Sequence, residues 1–217
     1  TSARSSGTLW IPQPGDTAAA TYLDALVGEK ADRSLREAFL AAGPAMISFL
    51  AKHAGFVFRR YARQPDYRQD LPGAAGGMRP LEPPEFDGRA LGDEFERVGS
   101  PLPELMLLGG MMVTRPEAAT LLRAGRSLKG TLLGARLVLR YLGDRLRHER
   151  GTRLVLGNAL VARLYRNLLD RQVPVWCEAA TERLIADGEV RGAVVRRGGK
   201  EFRVAARRGV GLAGGGF

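Results

Sequence analysis

The run "TERLIADGEVRGAVVRRGGKEFRVAA", residues 181–206, is cut by two dipeptides that reverse a chain. Asp187-Gly188 and Gly198-Gly199 supply residues that tolerate the positive φ of a tight hairpin, and the stretches beside them are β-prone. A three-stranded antiparallel meander is predicted. Ahead of it, "GNALVARLYRNLLDRQ" reads as a helix. Its apolar stripe is Leu160, Val161, Leu164, Leu168 and Leu169, and Asn158 is placed to cap it. "VPVWCE" reads as a short strand, and "RGVGLAGGGF" as a last strand running into glycines. Helix and strand in alternation predict an α/β fold with a parallel sheet, from which the meander is an excursion.

Upstream the pattern is different. Asp16 can cap a helix that ends at Gly28, and a second helix follows Asp32 with Leu35, Ala38 and Phe39 at helical spacing. Gly43 stops it, and Pro44 opens a third, "AGPAMISFLAKH". From Arg63 to Pro103 repeated prolines interrupt any long element. A loop of this length inside a compact domain is often functional. Its Tyr67, Phe86 and Asp87 have two readings: surface anchors that pin the loop, or carriers of function. A helical region over about Pro116–Arg147, with a break near Gly130 or Gly134, places Leu137, Tyr141 and Leu142 on one side and Arg136, Arg140, Arg147 and Arg150 largely on others.

That basic face must be weighed because the net charge is +10, nearly all of it from arginine. A solvated face explains it. A nucleic-acid surface is the sharper reading, but only Tyr141 interleaves with these arginines and no recognised binding motif accompanies them. His53 and His148 have no cluster around them, so no metal site is expected, and His148 reads as solvated. The longest apolar run, near Leu105–Val113, is far short of the ~20 residues that cross a bilayer. The single cysteine, Cys177, allows no intramolecular disulfide and makes a cytoplasmic location the expectation.

Both ends carry glycine and small hydroxyl residues. "TSARSSGTLWIP" opens the chain and "LAGGGF" closes it. Such stretches let backbone N–H groups approach phosphates or a ring edge where larger side chains would clash. The closing motif resembles the turn after a strand in two-dinucleotide-binding-type FAD domains, with Gly214 where threonine is usual. The opening motif resembles that family's flavin-contacting segment, with Ser6 replacing a glycine. Between them "GPAMISFL", "PDY", "FDGRALG", "PLPE", "GGMMV" and "GNALVARL" occur in the order of the 3-ketosteroid dehydrogenase-like branch of the fumarate reductase flavoprotein superfamily. The likeness spans nearly the whole chain.

The resemblance implies FAD as cofactor, contacted by Thr1, Ser2, Ala3, Ser5, Ser6 and Gly7 at one end and by Ala213, Gly214 and Gly215 at the other. It implies one partial FAD-binding domain: residues 1–15 contact the flavin, 16–150 form a helical and proline-rich insertion, and 151–217 carry the helix, strand, meander and glycine turn. It implies dehydrogenation beside a ketone, in which a tyrosine base removes a proton and the adjacent carbon gives hydride to flavin N5. A small, steroid-like substrate is expected. Tyr67 of "PDYRQD" matches the family tyrosine that supports the base, and Trp10 either lines the same cavity or packs in the core. The dinucleotide G-x-G-x-x-G turn, the ribose-binding acid and the catalytic domain are matched nowhere in the chain. An internal piece of a longer flavoprotein, binding FAD poorly by itself, is therefore expected. The other readings are a fumarate reductase-like enzyme acting on a small dicarboxylate and an Arg-rich nucleic-acid-binding module.

Overall fold

In the computed structural model, residues 2–214 are described, and the chain falls into two units, one running to Arg171 and the other starting at Gln172. Thr1 and Gly215, both expected to contact FAD, lie outside the described residues.

The first unit opens with a single 3-10 turn, Ser2–Arg4, and the short strand β1, Leu9–Trp10. Helix α1, Thr17–Val27, is capped as expected: the Asp16 carboxylate accepts from the Ala19 N–H, and Gly28 closes the helix. Helix α2 runs unbroken from Arg33 to Ala54, so the predicted stop at Gly43 is wrong. Gly43 is buried there because the Ile11 side chain packs against it; a Cβ at that position would lie 3.0 Å from Ile11 Cγ2. Pro44 withholds one backbone donor without ending the helix.

The proline-rich stretch is a series of short pairings. Strands β2, Arg59–Arg60, and β3, Pro80–Glu82, join β1 in one small sheet. Strand β4, Phe86–Asp87, waits for a later partner, and β5, Met106–Leu107, pairs with β6, Met111–Met112. Helices α3, Arg115–Leu121, and α4, Leu128–Arg145, replace the predicted single helix. The break falls at residues 122–127 rather than at Gly130 or Gly134. Gly130 is instead where the two helices approach: a Cβ there would lie 2.9 Å from the Thr120 carbonyl oxygen. Leu137 and Tyr141 are buried with Met111, as predicted, but Leu142 faces outward with Leu128, Leu132, Leu139 and Leu146. Strand β7, Arg153–Leu154, pairs with β4 and leads into helix α5, Leu156–Asp170.

Helix α5 buries Asn158, Ala159, Ala162 and Tyr165, not the leucine stripe; Leu164 and Leu168 are exposed. Asn158 does not cap it, because its side chain is committed to carbonyls elsewhere in the unit.

The second unit is the predicted meander: β8, Ala179–Asp187, β9, Glu189–Arg197, and β10, Lys200–Ala205, in the order β10-β9-β8. Gly188, Gly198 and Gly199 adopt the positive φ that the turns require. Residues 173–178 and 208–214, read as strands from sequence, have no pairing partner among the described residues. A strand exists through its ladder, so these segments are irregular. Every described strand pair is antiparallel, which leaves the expected parallel sheet without a counterpart among the described residues. No helix of the described residues is long and apolar enough to cross a membrane.

Candidate functional site

A buried arginine organises the first unit where the proline-rich loop meets α1. Arg79, 2% exposed, directs Nε and Nη2 to the two oxygens of the Asp16 carboxylate at 2.8 and 3.1 Å. Its Nη1 donates to Asp66 Oδ2 at 2.5 Å and to the Gly73 carbonyl at 2.9 Å. The hydrogen bond from Arg79 holds the Asp16 carboxyl below its ordinary value, and the same bond raises the guanidinium. The guanidinium carbon sits 5.6 Å from the Trp10 ring centroid and 5.7 Å from that of Tyr22, within cation–π range.

Asp66 is the second node. Its Oδ1 accepts from the Trp10 indole N–H at 2.6 Å, and its Oδ2 also accepts from the Ala75 N–H at 2.9 Å. Beside this network opens a cavity of about 330 Å³. Trp10, Tyr22 and Phe39 form an aromatic wall; the Trp10 and Phe39 rings lie 6.2 Å apart at 14°. Ser6 and Asp66 add polar atoms to the lining, and Tyr67, next to Asp66, is also part of it.

Trp10 therefore lines a cavity rather than packing in the core. Tyr67 is 96% exposed, so it does not pin the loop; its neighbour Asp66, 4% exposed, does. Phe86 and Asp87 do act as anchors: they form β4, and Asp87 pairs with Arg89 and Arg140. The Arg89 hydrogen bond holds the Asp87 carboxyl below its ordinary value.

The Ser2–Gly7 segment is fixed against the start of α5. The Gly157 N–H donates to the Ser5 carbonyl at 3.1 Å, and the Gly7 N–H to Ser5 Oγ at 3.0 Å. Gly7 has φ +62°, and a Cβ on it would lie 2.5 Å from Gly157 N. The Asn158 amide donates to the Ala3 carbonyl at 2.8 Å and to the Gly99 carbonyl at 3.0 Å, while its Oδ1 accepts from Arg150. Arg150 is buried, not on the solvated face expected of it, and burial lowers its pKa. Arg153 is also buried, paired with Glu85 and Glu117. Part of the basic run thus serves the interior. His148 stacks edge-on against Phe95 and is partly covered, contrary to the solvated reading. No metal-binding group of His, Cys, Asp or Glu occurs among the described residues.

The FAD binding domain family profile matches residues 1–217. The chain belongs to the FAD binding domain family. This FAD binding domain chain is 31% identical over 228 residues to the 4-oxocyclohex-2-ene-1-carboxylate 5-dehydrogenase of Sinomonas cyclohexanicum, covering 100% of this chain and 38% of that protein. It is 31% identical over 235 residues to the 3-oxosteroid 1-dehydrogenase of Comamonas testosteroni, covering 100% of this chain and 40% of that one. The crystal structure of the 3-ketosteroid delta1-dehydrogenase from Sterolibacterium denitrificans, in complex with 1,4-androstadiene-3,17-dione, superposes with a TM-score of 0.84 at 33% identity over 95% of this chain and 39% of that one. The chain thus spans about two fifths of the length of these relatives.

Of the expected site residues, the structure brings Ser6, Trp10 and Tyr67 to one cavity and sets Ser2, Ala3, Ser5 and Gly7 on α5. Ala213 and Gly214 belong to the second unit, where they are exposed. Gly7 and Gly157 meet each other, so their lack of a Cβ serves chain packing. The hydroxyls of Ser6 and Thr8 lie 3.3 Å apart at the cavity. Sequence reasoning missed Arg79, Asp66, Tyr22 and Phe39. Only Asp66 carried a signal, as the Asp of "PDY".

Proposed function

We propose that this chain is the substrate-facing part of an FAD-dependent dehydrogenase acting on a ring ketone of the 3-ketosteroid type. The observation that carries this reading is the cavity lined by Trp10, Tyr22, Phe39 and Tyr67. Flat aromatic walls suit a flat, apolar polycycle, and few polar groups fix its orientation. Ser2, Ala3, Ser5, Ser6 and Gly7 would contact the flavin. When bound, FAD supplies the hydride acceptor. The part of this chain in the reaction is to bind the ketone, keep water from its apolar face, and present the Tyr67 hydroxyl to the base that removes a proton beside the carbonyl. Relatives whose names specify 3-oxosteroid or ring-ketone dehydrogenation support the class.

A fumarate reductase-like role is disfavoured. A small dicarboxylate needs cationic clamps, whereas no arginine among the described residues is in the cavity lining and Arg79 behind it is already shared by two carboxylates. A nucleic-acid role is disfavoured by the interior placement of Arg150 and Arg153. The test uses the full-length gene product. It should purify yellow and reduce a dye in the presence of a 3-ketosteroid. Oxidation of its reduced flavin by fumarate, without ketosteroid turnover, would overturn the reading.

A further inference from the structure

We propose that Arg79 is the positioning residue of the cavity: shared between Asp16 and Asp66, its guanidinium holds the Trp10 indole and the Tyr67 loop in a fixed relation across the ligand space. The inference rests on the functional reading above only for the identity of the ligand.

Arg79 is tied down at both ends. Its carbonyl accepts from the Ile11 N–H at 3.0 Å, and its neighbour Pro80 faces Trp10 in the β1–β3 register. The main chain is thus set by the strand that carries Trp10. The side chain then reaches two other places, the capping carboxylate of α1 and the loop carboxylate of Asp66. The Asp66 carboxylate passes the constraint on, because its other oxygen takes the indole N–H of Trp10. Tyr67 is the next residue along. One cation therefore closes a ring of contacts through Trp10, Asp66 and Asp16, and Tyr67, itself 96% exposed, depends on that ring for its place.

The chemistry requires arginine. A planar fork with several fixed donors can serve two carboxylates and a carbonyl at once, whereas an ammonium is a point charge with no such geometry. Two carboxylates share the one cation, so losing it leaves like charges facing each other in a place with little water. Arg79 is not part of the cavity lining and makes its contacts behind the wall. It acts through Trp10 and Asp66 rather than on the ligand.

The test compares wild type, Arg79→Met, Arg79→Lys and Asp66→Asn in the full-length flavoprotein. Three quantities are read: KM and kcat with a 3-ketosteroid, dissociation of 1,4-androstadiene-3,17-dione by equilibrium dialysis, and the fluorine resonance of 5-fluorotryptophan at position 10, assigned by its loss in Trp10→Phe. Arg79→Met should weaken ligand binding and raise KM by about tenfold, the pattern expected when binding common to ground and transition states is lost. It should lower kcat less and shift the fluorine resonance, with Arg79→Lys in between. Arg79→Lys, which leaves the cavity lining untouched, decides the matter by the same readouts should Arg79→Met fail to fold, and Asp66→Asn, which alters the lining itself, gives the size of a direct effect for comparison. Folded variants with wild-type KM and an unmoved resonance would overturn the proposal. If wild type turns over no ketosteroid, the functional reading fails, and the fluorine shift alone then decides the clamp.

Discussion

The amide of Asn158 donates to the carbonyl of Ala3 across 2.8 Å, joining positions 155 residues apart. Through this bond the opening segment is built into the first unit instead of trailing from it. The Asn158 oxygen is held in turn by Arg150, whose second amino group reaches the Val98 carbonyl at 2.8 Å. Every link is buried or half-buried, where an unmade hydrogen bond is costly.

Replacing Asn158 with leucine should therefore destabilise the protein strongly. It leaves the Ala3 and Gly99 carbonyls and one Arg150 donor without their partner in an interior site. At 1–3 kcal/mol for each unsatisfied group, partly relieved by local movement, a loss of about 3 kcal/mol is expected. Urea denaturation of wild type and variant measures it; a midpoint within error of wild type would contradict the account.

Gly157→Ala should act more locally. A Cβ there would lie 2.1 Å from the Ser2 carbonyl oxygen and 2.5 Å from that of Ser5, both backbone atoms. The Ser2–Gly7 segment must then move away from α5, at a cost of about 1–3 kcal/mol. Because that segment is the proposed flavin contact, the full-length variant should lose FAD on dilution faster than wild type. Flavin fluorescence released over time reports it.

These two sites also show what could be read in advance. The meander was legible because Asp187-Gly188 and Gly198-Gly199 act locally: turn chemistry depends on two residues and their φ angles. The cap at Asp16 and the end at Gly28 were legible for the same reason. Gly43, Gly130 and Asn158 were misread because each answers a distant neighbour. Ile11 takes the room that Gly43 leaves, α3 takes that of Gly130, and Ala3 takes the Asn158 side chain that was expected to cap. The cavity was half legible. Trp10 and Tyr67 stood in motifs, but the arginine that joins them sits in "GGMRP", where one basic residue among 33 in the chain carries no pattern.

Acid should loosen the first unit at Asp16, which caps α1, and at Asp87 in β4. The Asp16 and Asp87 carboxyls are held below 3.8 in the folded protein, each chiefly by an arginine hydrogen bond. A carboxyl with a depressed folded pKa stabilises the fold fully above its unfolded value and loses that contribution as pH falls through the folded one. Stability should thus be flat above about pH 4 from these groups and fall below it. Asp16→Asn keeps a capping oxygen but has no charge to lose. Its thermal midpoint should start lower at neutral pH and decline less steeply as pH falls below about 4. Parallel acid limbs in the two proteins would refute this assignment.

Tyr67→Phe separates chemistry from folding. At 96% exposure the hydroxyl contributes nothing to burial, and Asp66 rather than Tyr67 anchors the loop, so the thermal midpoint should stay within about 1 °C of wild type. The ring remains in the cavity lining, so ketosteroid affinity should change little. What is lost is the hydroxyl proposed to assist proton removal, and such assistance contributes of order 10²-fold. kcat should fall by about that factor with KM nearly unchanged, the pattern of a group that acts in the transition state rather than in binding. Steady-state kinetics of the full-length variant decides it: turnover equal to wild type would remove Tyr67 from the reaction and leave it as a side chain at the mouth of the cavity.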